Sequence, residues 1–308
     1  MNGDAAPAVD ICVCTHRRPQ VMDTLRSLAR LELKPGRAIR VIVADNDDVP
    51  TAHEKIEATA RATGLNLIYI HAPAHNISVA RNACLDAATA PLLAFIDDDE
   101  TAAPGWLEAL IATMEREQAA AVLGPVQALY DPAHPAWMQK GDFHSIGPVW
   151  VGGEIITGYA GNLLLRRDAP SLRDLRFREA LGRSGGEDTL FLASLHHAGG
   201  KIAFAPDAVV AEKVAPERAR WRWLLQRHFR SGQTHGLLLL ERDGGRFLQR
   251  ARHIALAAGK ACYCLAMVPL QSLNTPKVAS WFLRGIMHLG VVARLCGIRE
   301  PIQYGNAA

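Results

Sequence analysis

The stretch LLAFIDDDE, Leu92 to Glu100, sets five apolar residues directly before four acidic ones. An apolar run of this length, with no polar residue on either face, is typical of a β-strand buried on both sides. The three aspartates therefore follow the carboxyl end of a predicted strand. Packing adjacent carboxylates costs charge repulsion, which a purely structural surface would avoid.

A divalent cation relieves that repulsion. Mg²⁺ and Mn²⁺ prefer carboxylate oxygens and keep coordination positions for water and for a substrate phosphate. Because side chains alternate along a strand, we expect Asp97 and Asp99 on one side and Asp98 on the other. Asp97 and Asp99 are predicted to serve substrate and metal, with Asp99 as the direct metal ligand. The alternative is a solvated acidic turn that caps the helix before Pro104, since Asp-x-Asp alone is a weak motif.

Short apolar runs and helical patterns alternate on both sides of this stretch. Besides Leu92 to Ile96, strands are predicted over Val9–Cys14, Ile39–Ala44, Leu67–Ile70 and Ala121–Val126. Helices are predicted between them, over Pro19–Leu31, Thr51–Ala62, Ser78–Ala88 and Pro104–Glu117. This alternation indicates an α/β fold with a mostly parallel sheet flanked by helices. In such sheets, ligands bind beyond the carboxyl ends of the strands.

Other polar residues fall at the same predicted sheet edge. Thr15 and Asp45 follow the first two strands, and Arg81 lies on the helix before the strand that ends at Asp97. Acids for a metal or a ribose, a carboxylate near a base and arginines for phosphates complement a nucleoside diphosphate. Each residue alone has a simpler account, with Asp45 as a helix N-cap and Arg81 as a surface charge.

The second half of the chain changes character twice. Residues Tyr130 to Gly158 are rich in proline, glycine and aromatic residues, which suggests an ordered insertion over a site. Further strands are predicted over Asn162–Arg166, Lys201–Ala205 and Ala208–Val210, and a Gly-rich turn opens a helix that ends at Gly199. Beyond Pro216 the pattern is wholly helical. We therefore divide the chain into a nucleotide-binding and catalytic domain, 1–215, and a helical C-terminal region, 216–308.

The ordered set of motifs CTHRRP, ADND, NISVARN, FIDDDE and GGED resembles glycosyltransferase family 2, which comprises inverting enzymes of the GT-A fold. The likeness covers about Val9 to Val214 and is strongest to bacterial glucosyltransferases of exopolysaccharide assembly. It implies a transfer that depends on Mg²⁺ or Mn²⁺, moving a hexose from a UDP-sugar, with UDP-glucose favoured. The implied acceptor is a lipid-linked or other saccharide in exopolysaccharide or cell-envelope glycan synthesis.

The same resemblance implies roles on the donor side of the site. Thr15 and Arg17, in a turn similar to T-x-R-x-P, match the donor-binding loop. Asp45 looks like the carboxylate that faces the uracil of the UDP-sugar. Arg81 matches the arginine of the A-R-N helix near the nucleotide.

The resemblance also assigns the acidic residues. Asp97 looks like the contact to ribose or phosphate, Asp98 is placed beside it in the donor site, and Asp99 looks like the metal ligand. Glu187 and Asp188 match a Glu-Asp pair in which the aspartate, Asp188, is the catalytic base. A base opposite the leaving group predicts inversion at the anomeric carbon, and a positioned base contributes about 10²–10⁴-fold in rate. The simpler account is that both acids cap the helix electrostatically.

One departure from the family pattern concerns the residues after the base. Processive members carry Q-x-x-R-W, whereas QRHFRSG, Gln226 to Gly232, has no such tryptophan. This favours addition of a single sugar. Arg227, His228 and Arg230 are predicted to form a solvated basic helix face, with an approach to the diphosphate as the alternative.

Two other classes of function stay open from the residues. A nucleotidyltransferase also places acids beyond an α/β sheet, but it would usually carry a Gly-rich phosphate loop after the first strand, and THRRP is not one. A dinucleotide oxidoreductase is disfavoured because no G-x-G-x-x-G follows a strand. The second class that stays open is a non-catalytic protein of the same fold that binds a nucleotide-sugar.

Composition limits partners and location. Of the 308 residues, 49% are hydrophobic and 21% are charged, which excludes a disordered chain. The net charge of +3 is small and spread along the sequence, so a nucleic-acid partner is not expected. The first ten residues lack a secretory signal, and the cysteine spacing suits a reducing compartment, so we expect a cytoplasmic protein.

The C-terminal helices have a membrane-like composition. Ile254 to Leu270 is interrupted only by Lys260, and Val278 to Ile298 carries Arg284 and Arg294. Central arginines are costly in a membrane span, so these helices are predicted to lie in the interface at the inner face of the cell membrane. The alternative is a helical subdomain packed on the catalytic core.

Overall fold

The computed structural model describes residues 8–244, 246–271 and 275–299. Residues 1–7, in which no secretory signal is predicted, lie outside these ranges. The outer ends of the two predicted domains lie outside them as well.

The elements follow the predicted alternation closely. The strands are β1 (Val9–Thr15), β2 (Ile39–Asp45), β3 (Leu67–His71), β4 (Leu92–Asp97), β5 (Glu100–Ala102), β6 (Ala121–Leu123), β7 (Val126–Leu129), β8 (Trp150–Val151), β9 (Glu154–Ile155), β10 (Asn162–Arg166), β11 (Ile202–Phe204) and β12 (Val210–Lys213). The α-helices are α1 (Val21–Leu28), α2 (His53–Thr63), α3 (Ile77–Ala87), α4 (Trp106–Glu117), α5 (Ala136–Gly141), α6 (Glu187–His197), α7 (Trp221–Arg242), α8 (Phe247–Met267) and α9 (Thr275–Leu295).

A seven-stranded sheet forms the centre of the fold, in the order β11-β6-β10-β4-β1-β2-β3. Strand β10 runs antiparallel to both of its neighbours, and the other pairings are parallel. A smaller sheet, β5-β12-β7, adjoins it. The predicted α/β fold, with a mostly parallel sheet and C-terminal helices, is confirmed.

Helices cover both faces of the central sheet because its strands are apolar on both faces. Along β1, Val9, Ile11 and Val13 join one buried core. Cys12 and Cys14, which point the other way, join a second core on the opposite face. This arrangement fixes the sheet in the middle layer and leaves its carboxyl-end edge as the exposed place for a ligand.

The prediction of one continuous strand over Ala121–Val126 is wrong. The segment splits into β6 in the large sheet and β7 in the small one. Gly124 lies at the break, where an added Cβ would come within 2.3 Å of the carbonyl oxygen of Ala208. Pro125 follows it and has no N–H to donate to a ladder. The strand predicted at Ala208–Val210 likewise begins later, as β12.

The segment Tyr130 to Gly158 is ordered, as predicted, and contains α5 and the β8–β9 hairpin. It is fastened to the start of α7 by aromatic stacking. The rings of Trp137 and Trp221 lie 4.5 Å apart, and those of His144 and Trp223 lie 5.0 Å apart. The insertion therefore orients the first turns of the C-terminal helices against the catalytic region.

Helices α7 and α9 pack at the distance that glycine permits. An added Cβ on Gly232 would lie 1.8 Å from the carbonyl oxygen of Met287, and one on Gly290 would lie 2.0 Å from that of Phe229. Side chains at these positions would force the helices apart. Helices α7 and α9 therefore form a close pair, and α8 packs mainly on α9.

Candidate active site

The three predicted strand-end residues share one edge. In the sheet register, Thr15 lies beside Asp45, and Cys14 lies beside Asp97. These residues end β1, β2 and β4. The expectation that they meet is confirmed, because adjacent parallel strands end together.

Asp45 is a buried acceptor that does not cap a helix. It is 1% exposed, and its Oδ2 accepts a 2.6 Å hydrogen bond from the hydroxyl of Tyr69. Burial and the nearby charge of Asp45 raise the pKa of Tyr69. Helix α2 has Ala52 at its N-cap, so the N-cap account of Asp45 is wrong. Tyr69 is a site neighbour that the sequence analysis missed, because β3 showed only an apolar pattern.

The acidic tip has a different geometry from the one predicted. Strand β4 ends at Asp97, and Asp98 and Asp99 form a turn into β5, so strand alternation does not continue through them. Asp98 and Asp99 both accept from the Nη1 of Arg18, at 3.0 and 2.6 Å. The expected separation of Asp98 from Asp99 is therefore wrong.

This tip is also not a solvated turn. Asp98 is 5% exposed, and its Oδ2 accepts a 2.7 Å hydrogen bond from Thr15. Burial is the main reason that the pKa of Asp98 is raised to about 7. The charge of Arg18 opposes this increase, and the charge of Asp99 adds to it. The following helix begins at Trp106, with Gly105 at its N-cap. The account of the acids as a solvated helix cap is wrong.

The two arginines of the THRRP turn point to different groups. Arg17 has a positive φ of 55°, and its Nε donates to Asp47 at 2.8 Å. Arg18, which was not among the predicted site residues, contacts the acidic tip instead. Sequence alone offered no means to choose between adjacent arginines. The structure places Arg17 towards the end of β2.

Arg81 links the strand edge to α6. It is 6% exposed, so it is not a surface charge, and it pairs with the carboxylate of Glu187. Its Nη2 also lies 3.5 Å from Asp97. Desolvation would lower the pKa of Arg81, but the charges of Glu187, Asp97 and Asp188 outweigh it and raise that pKa.

Glu187 and Asp188 begin α6 after two glycines in left-handed conformation. Gly185 and Gly186 have φ values of 92° and 89°. Glu187 is buried against Arg81, and burial, reinforced by Asp188 and opposed by Arg81, raises its pKa to about 7. Asp188 is half-buried, accepts from the backbone of Thr189 at 2.6 Å, and stays near the other acids. Pairing with Arg81, rather than capping alone, therefore accounts for Glu187.

A second layer of acids lies behind the tip and was not predicted. Glu100 is 2% exposed and accepts from the backbone N–H of Asp97 at 3.0 Å. Glu212, on β12, pairs with Arg218, which also contacts Asp99 at 3.3 Å. Burial, with the charge of Asp99 next, raises the pKa of Glu212. These residues come from β5 and β12, which adjoin the tip only in the folded chain.

The donor set suits a hard divalent cation. Burial, reinforced by neighbouring carboxylates and opposed by arginines, raises the pKa of Asp97, Asp98 and Glu212, so further positive charge would favour their ionised forms. Oxygen-only ligands of this kind are those that Mg²⁺ and Mn²⁺ favour. The residues present therefore fit the predicted metal, with Asp97 and Asp99 as the more accessible acids.

The basic side of α7 is not solvated, contrary to expectation. The guanidinium of Arg227 lies 5.1 Å from the ring centroid of Trp223, and its Nη1 is 3.4 Å from the carbonyl oxygen of His144. An added Cβ on Gly185 would lie 3.6 Å from Arg230. These cations face the insertion and the loop before α6. They supply positive charge beside Glu212, which attracts Arg227.

A cleft of about 1640 Å³ opens beside the tip. Arg18, Asp99 and Arg218 line it, together with residues 130–134 of the insertion. The start of the insertion therefore adjoins the acidic tip, and its role over a site stays a prediction.

Comparison with known proteins agrees with this arrangement. A model of glycosyl transferase family 2 matches residues 10–171. The chain is also 50% identical over 297 residues to the succinoglycan biosynthesis protein ExoM of Rhizobium meliloti (strain 1021), covering 96% of each chain. The chain belongs to glycosyltransferase family 2. Family 2 membership makes it a glycosyltransferase and favours that class over both the nucleotidyltransferase and the non-catalytic alternatives.

Solved structures of glycosyltransferases share the fold at low identity. The mannosyltransferase PcManGT from Pyrobaculum calidifontis, in complex with GDP-Man and Mn²⁺, matches with a TM-score of 0.65 and 16% identity, covering 96% of this chain and 91% of that one. S. aureus TarS 1-349 in complex with UDP matches with a TM-score of 0.54 and 17% identity over 91% and 90%. In a longer TarS chain the match covers only 55% of that chain.

Proposed function

We propose that this family 2 enzyme transfers one hexose from a UDP-sugar, with UDP-glucose favoured, to a lipid-linked or saccharide acceptor. The product would enter exopolysaccharide or cell-envelope glycan synthesis. The observation that carries the proposal is the cluster of strand-end acids joined through Arg81 to the helix start that presents Asp188. The 50% identity to the succinoglycan protein ExoM supports the exopolysaccharide assignment.

The donor would lie along the sheet edge. Asp45 would accept from the base, with the hydroxyl of Tyr69 holding its carboxylate in place. Thr15, Arg17, Asp97 and Asp98 would complete the donor side. The similar TarS chains were solved with UDP and with UDP-GlcNAc, which supports a uridine nucleotide as donor. PcManGT was solved with GDP-Man, so a guanosine nucleotide is the competing donor.

Mg²⁺ or Mn²⁺, held by Asp99 with Asp97 beside it, would supply positive charge that stabilises the departing diphosphate. Arg81 and Arg18 already contact these acids and add fixed positive charge along the same edge. Such preorganised charge stabilises the transition state without reorganisation during the reaction.

Asp188 would act as the base. The acceptor hydroxyl gives its proton to the carboxylate of Asp188 as its oxygen bonds to the anomeric carbon, and the bond from that carbon to the diphosphate oxygen breaks. The electron pair leaves on the diphosphate. Attack opposite the leaving group inverts the anomeric configuration.

Membrane attachment is the second part of the proposal. The segments Phe247–Gln271 and Thr275–Leu295 are apolar and long enough to cross a membrane, with mean hydropathy of 1.4 and 1.2. Only 17% of the apolar window of the first lies buried, which favours contact with a surface over the role of a core helix. Its outer face exposes Leu248, Leu256 and Tyr263, with Arg252 and Lys260 among them. Basic residues on an apolar helix suit the inner membrane surface rather than a span.

The test is release of nucleoside diphosphate from UDP-glucose, UDP-GlcNAc, UDP-galactose and GDP-mannose, with Mg²⁺ or Mn²⁺ and with a chelator. We expect metal-dependent release of UDP. Release of GDP alone would overturn the uridine donor, and release of pyrophosphate would indicate nucleotidyl transfer. If Asp99→Ala keeps full turnover under a strong chelator, the metal role is wrong, with the exposed Asp207→Ala as the matched control.

A further inference from the structure

A second cluster of metal-binding side chains lies at the same sheet edge, apart from the acidic tip. It comprises His16 after β1, Asp47 after β2 and His75 before α3, and one ligand atom from each lies within 4.8 Å of the others. Asp47 is 2% exposed, and the two imidazole rings meet edge to face at 4.9 Å. Three separate loops therefore direct two imidazoles and a carboxylate to one point.

Both imidazoles present a nitrogen that lacks a partner. The Nε2 of His16 and the Nδ1 of His75 are buried atoms, and neither has a hydrogen-bond partner among the residues that the structure describes. A buried polar atom without a partner destabilises the folded state. Two such atoms, on rings that lie beside the same carboxylate, point to a ligand that accepts their lone pairs.

A second carboxylate orients His75 for that purpose. The Nε2 of His75 lies 2.7 Å from the Oδ2 of Asp48. A carboxylate at this position holds the ring proton on Nε2, which leaves the lone pair on Nδ1. Metal-bound histidines commonly donate their other ring N–H to a carboxylate in this manner.

Asp47 keeps one oxygen available. Its Oδ1 accepts from Arg17 and from the backbone N–H of Asp48, each at 2.8 Å, whereas its Oδ2 receives only a 3.5 Å contact from Thr51. Arg17 is 48% exposed along its side chain, so it can turn towards solvent when a cation arrives. His75 and Arg17 also hold positive φ values of 47° and 55°. Backbone strain of this kind is retained where the surrounding structure demands it, as at ligand sites.

We propose that His16, Asp47 and His75 bind a divalent transition metal of the Zn²⁺ class. Nitrogen and carboxylate ligands at 2.0–2.2 Å in a tetrahedron lie about 3.4 Å from one another. The Nε2 of His16 lies 3.9 Å from the Oδ1 of Asp47, so small side-chain movements, with a turn of the carboxylate that presents its Oδ2, complete the site. The metal would join three loops, namely the loop after β1, the loop after β2 and the loop before α3. Imidazole ligands favour Zn²⁺ over Mg²⁺, which distinguishes this site from the acidic tip.

The experiment is Zn²⁺ binding to the purified full chain, measured by competition with a chromophoric chelator, and by the visible spectrum of Co²⁺ as a tetrahedral probe. We expect one tight equivalent that excess Mg²⁺ does not displace. His75→Ala should weaken it at least tenfold, and Asp48→Asn should weaken it about 10–100-fold. The exposed His53→Ala, and Asp99→Ala, should leave it unchanged.

Thermal unfolding and circular dichroism without metal show whether each variant folds, and His16→Gln provides a second variant of a ligand. Zn²⁺ should raise the Tm of the wild type and of His53→Ala, but not that of His75→Ala. Equal Zn²⁺ affinity in wild type, His16→Gln and His75→Ala would overturn the proposal. Loss of the equivalent in Asp99→Ala would also overturn it, because the ion would then lie at the acidic tip. The outcome is independent of which sugar donor the enzyme uses.

Discussion

At the edge of the central sheet the chain buries charges, and on the outer face of α8 it exposes apolar side chains. Arg81, Glu187 and Asp98 are each at most 6% exposed, whereas Leu248 is 81% exposed. Both arrangements cost free energy unless something compensates. The buried charges pair with one another, whereas the exposed apolar side chains on the outer face of α8 have no partner among the described residues. The contrast teaches that burial at the sheet edge is compensated within the fold, whereas exposure on the outer face of α8 is what the proposed membrane contact would compensate.

The largest effect is expected at Asp188, which tests whether the buried charges serve catalysis. Asp188→Asn keeps the shape of the side chain but cannot take the acceptor proton, so kcat should fall about 10²–10⁴-fold. Nucleotide release and Tm are measured together, with Asp207→Asn as the matched control. Full turnover in Asp188→Asn at unchanged Tm would remove the base from the mechanism.

Variants of the two arginines of the THRRP turn test which of them contributes more to the donor site. Arg18 contacts both Asp98 and Asp99, so Arg18→Ala should lower kcat/KM about ten- to a hundredfold, as expected for lost charge-assisted hydrogen bonds. Arg17→Ala removes only the contact to Asp47 and should cost less. Donor kinetics of both variants decide the order. A larger loss of kcat/KM in Arg17→Ala than in Arg18→Ala would show that Arg17, the residue predicted from sequence, is the more important donor contact.

The outer face of α8 can be tested without touching the site. The double variant Leu248→Gln and Leu256→Gln removes exposed apolar area, so binding to anionic lipid vesicles should weaken about tenfold. Tm should change little, because the folded chain does not bury these side chains. Val149→Gln, at an equally exposed position in the insertion, is the control. Unchanged vesicle binding in the double variant would favour a helical subdomain that docks elsewhere.

The smallest effect is a pH dependence of stability from Glu187. Its pKa is about 7 in the fold against 4.5 as the ordinary value, so between these pH values the folded state keeps a proton that the unfolded chain has lost. This group's contribution to stability is therefore complete below pH 4.5 and falls as pH rises to about 7.

The Tm of Glu187→Gln should change less with pH than that of the wild type, by a few degrees between pH 4.5 and 7.5. Thermal unfolding across this pH range measures the difference. The exposed Glu154→Gln is the control and should follow the wild type. Parallel profiles for Glu187→Gln and the wild type would show that Arg81 already keeps Glu187 ionised.

The sequence by itself determined the alternation of strands and helices, the layer order and the edge at which Thr15, Asp45 and Asp97 meet. It could do so because apolar period and chain direction are local properties, and parallel strands end at a common edge. Its motifs also determined the family. The prediction failed first at Ala121–Val126, where the apolar pattern continues but Gly124 and Pro125 interrupt the ladder.

Only the tertiary structure decided which charges pair. Arg18 rather than Arg17 at the acidic tip, Arg218 against Asp99, and Arg227 against the carbonyl oxygen of His144 depend on elements far apart in the chain. Such contacts follow from loop direction and from the packing of β12 and α7, which no local period encodes. The pairing of His16 with His75 has the same origin, because the turns after β1 and before α3 meet only when the sheet has formed.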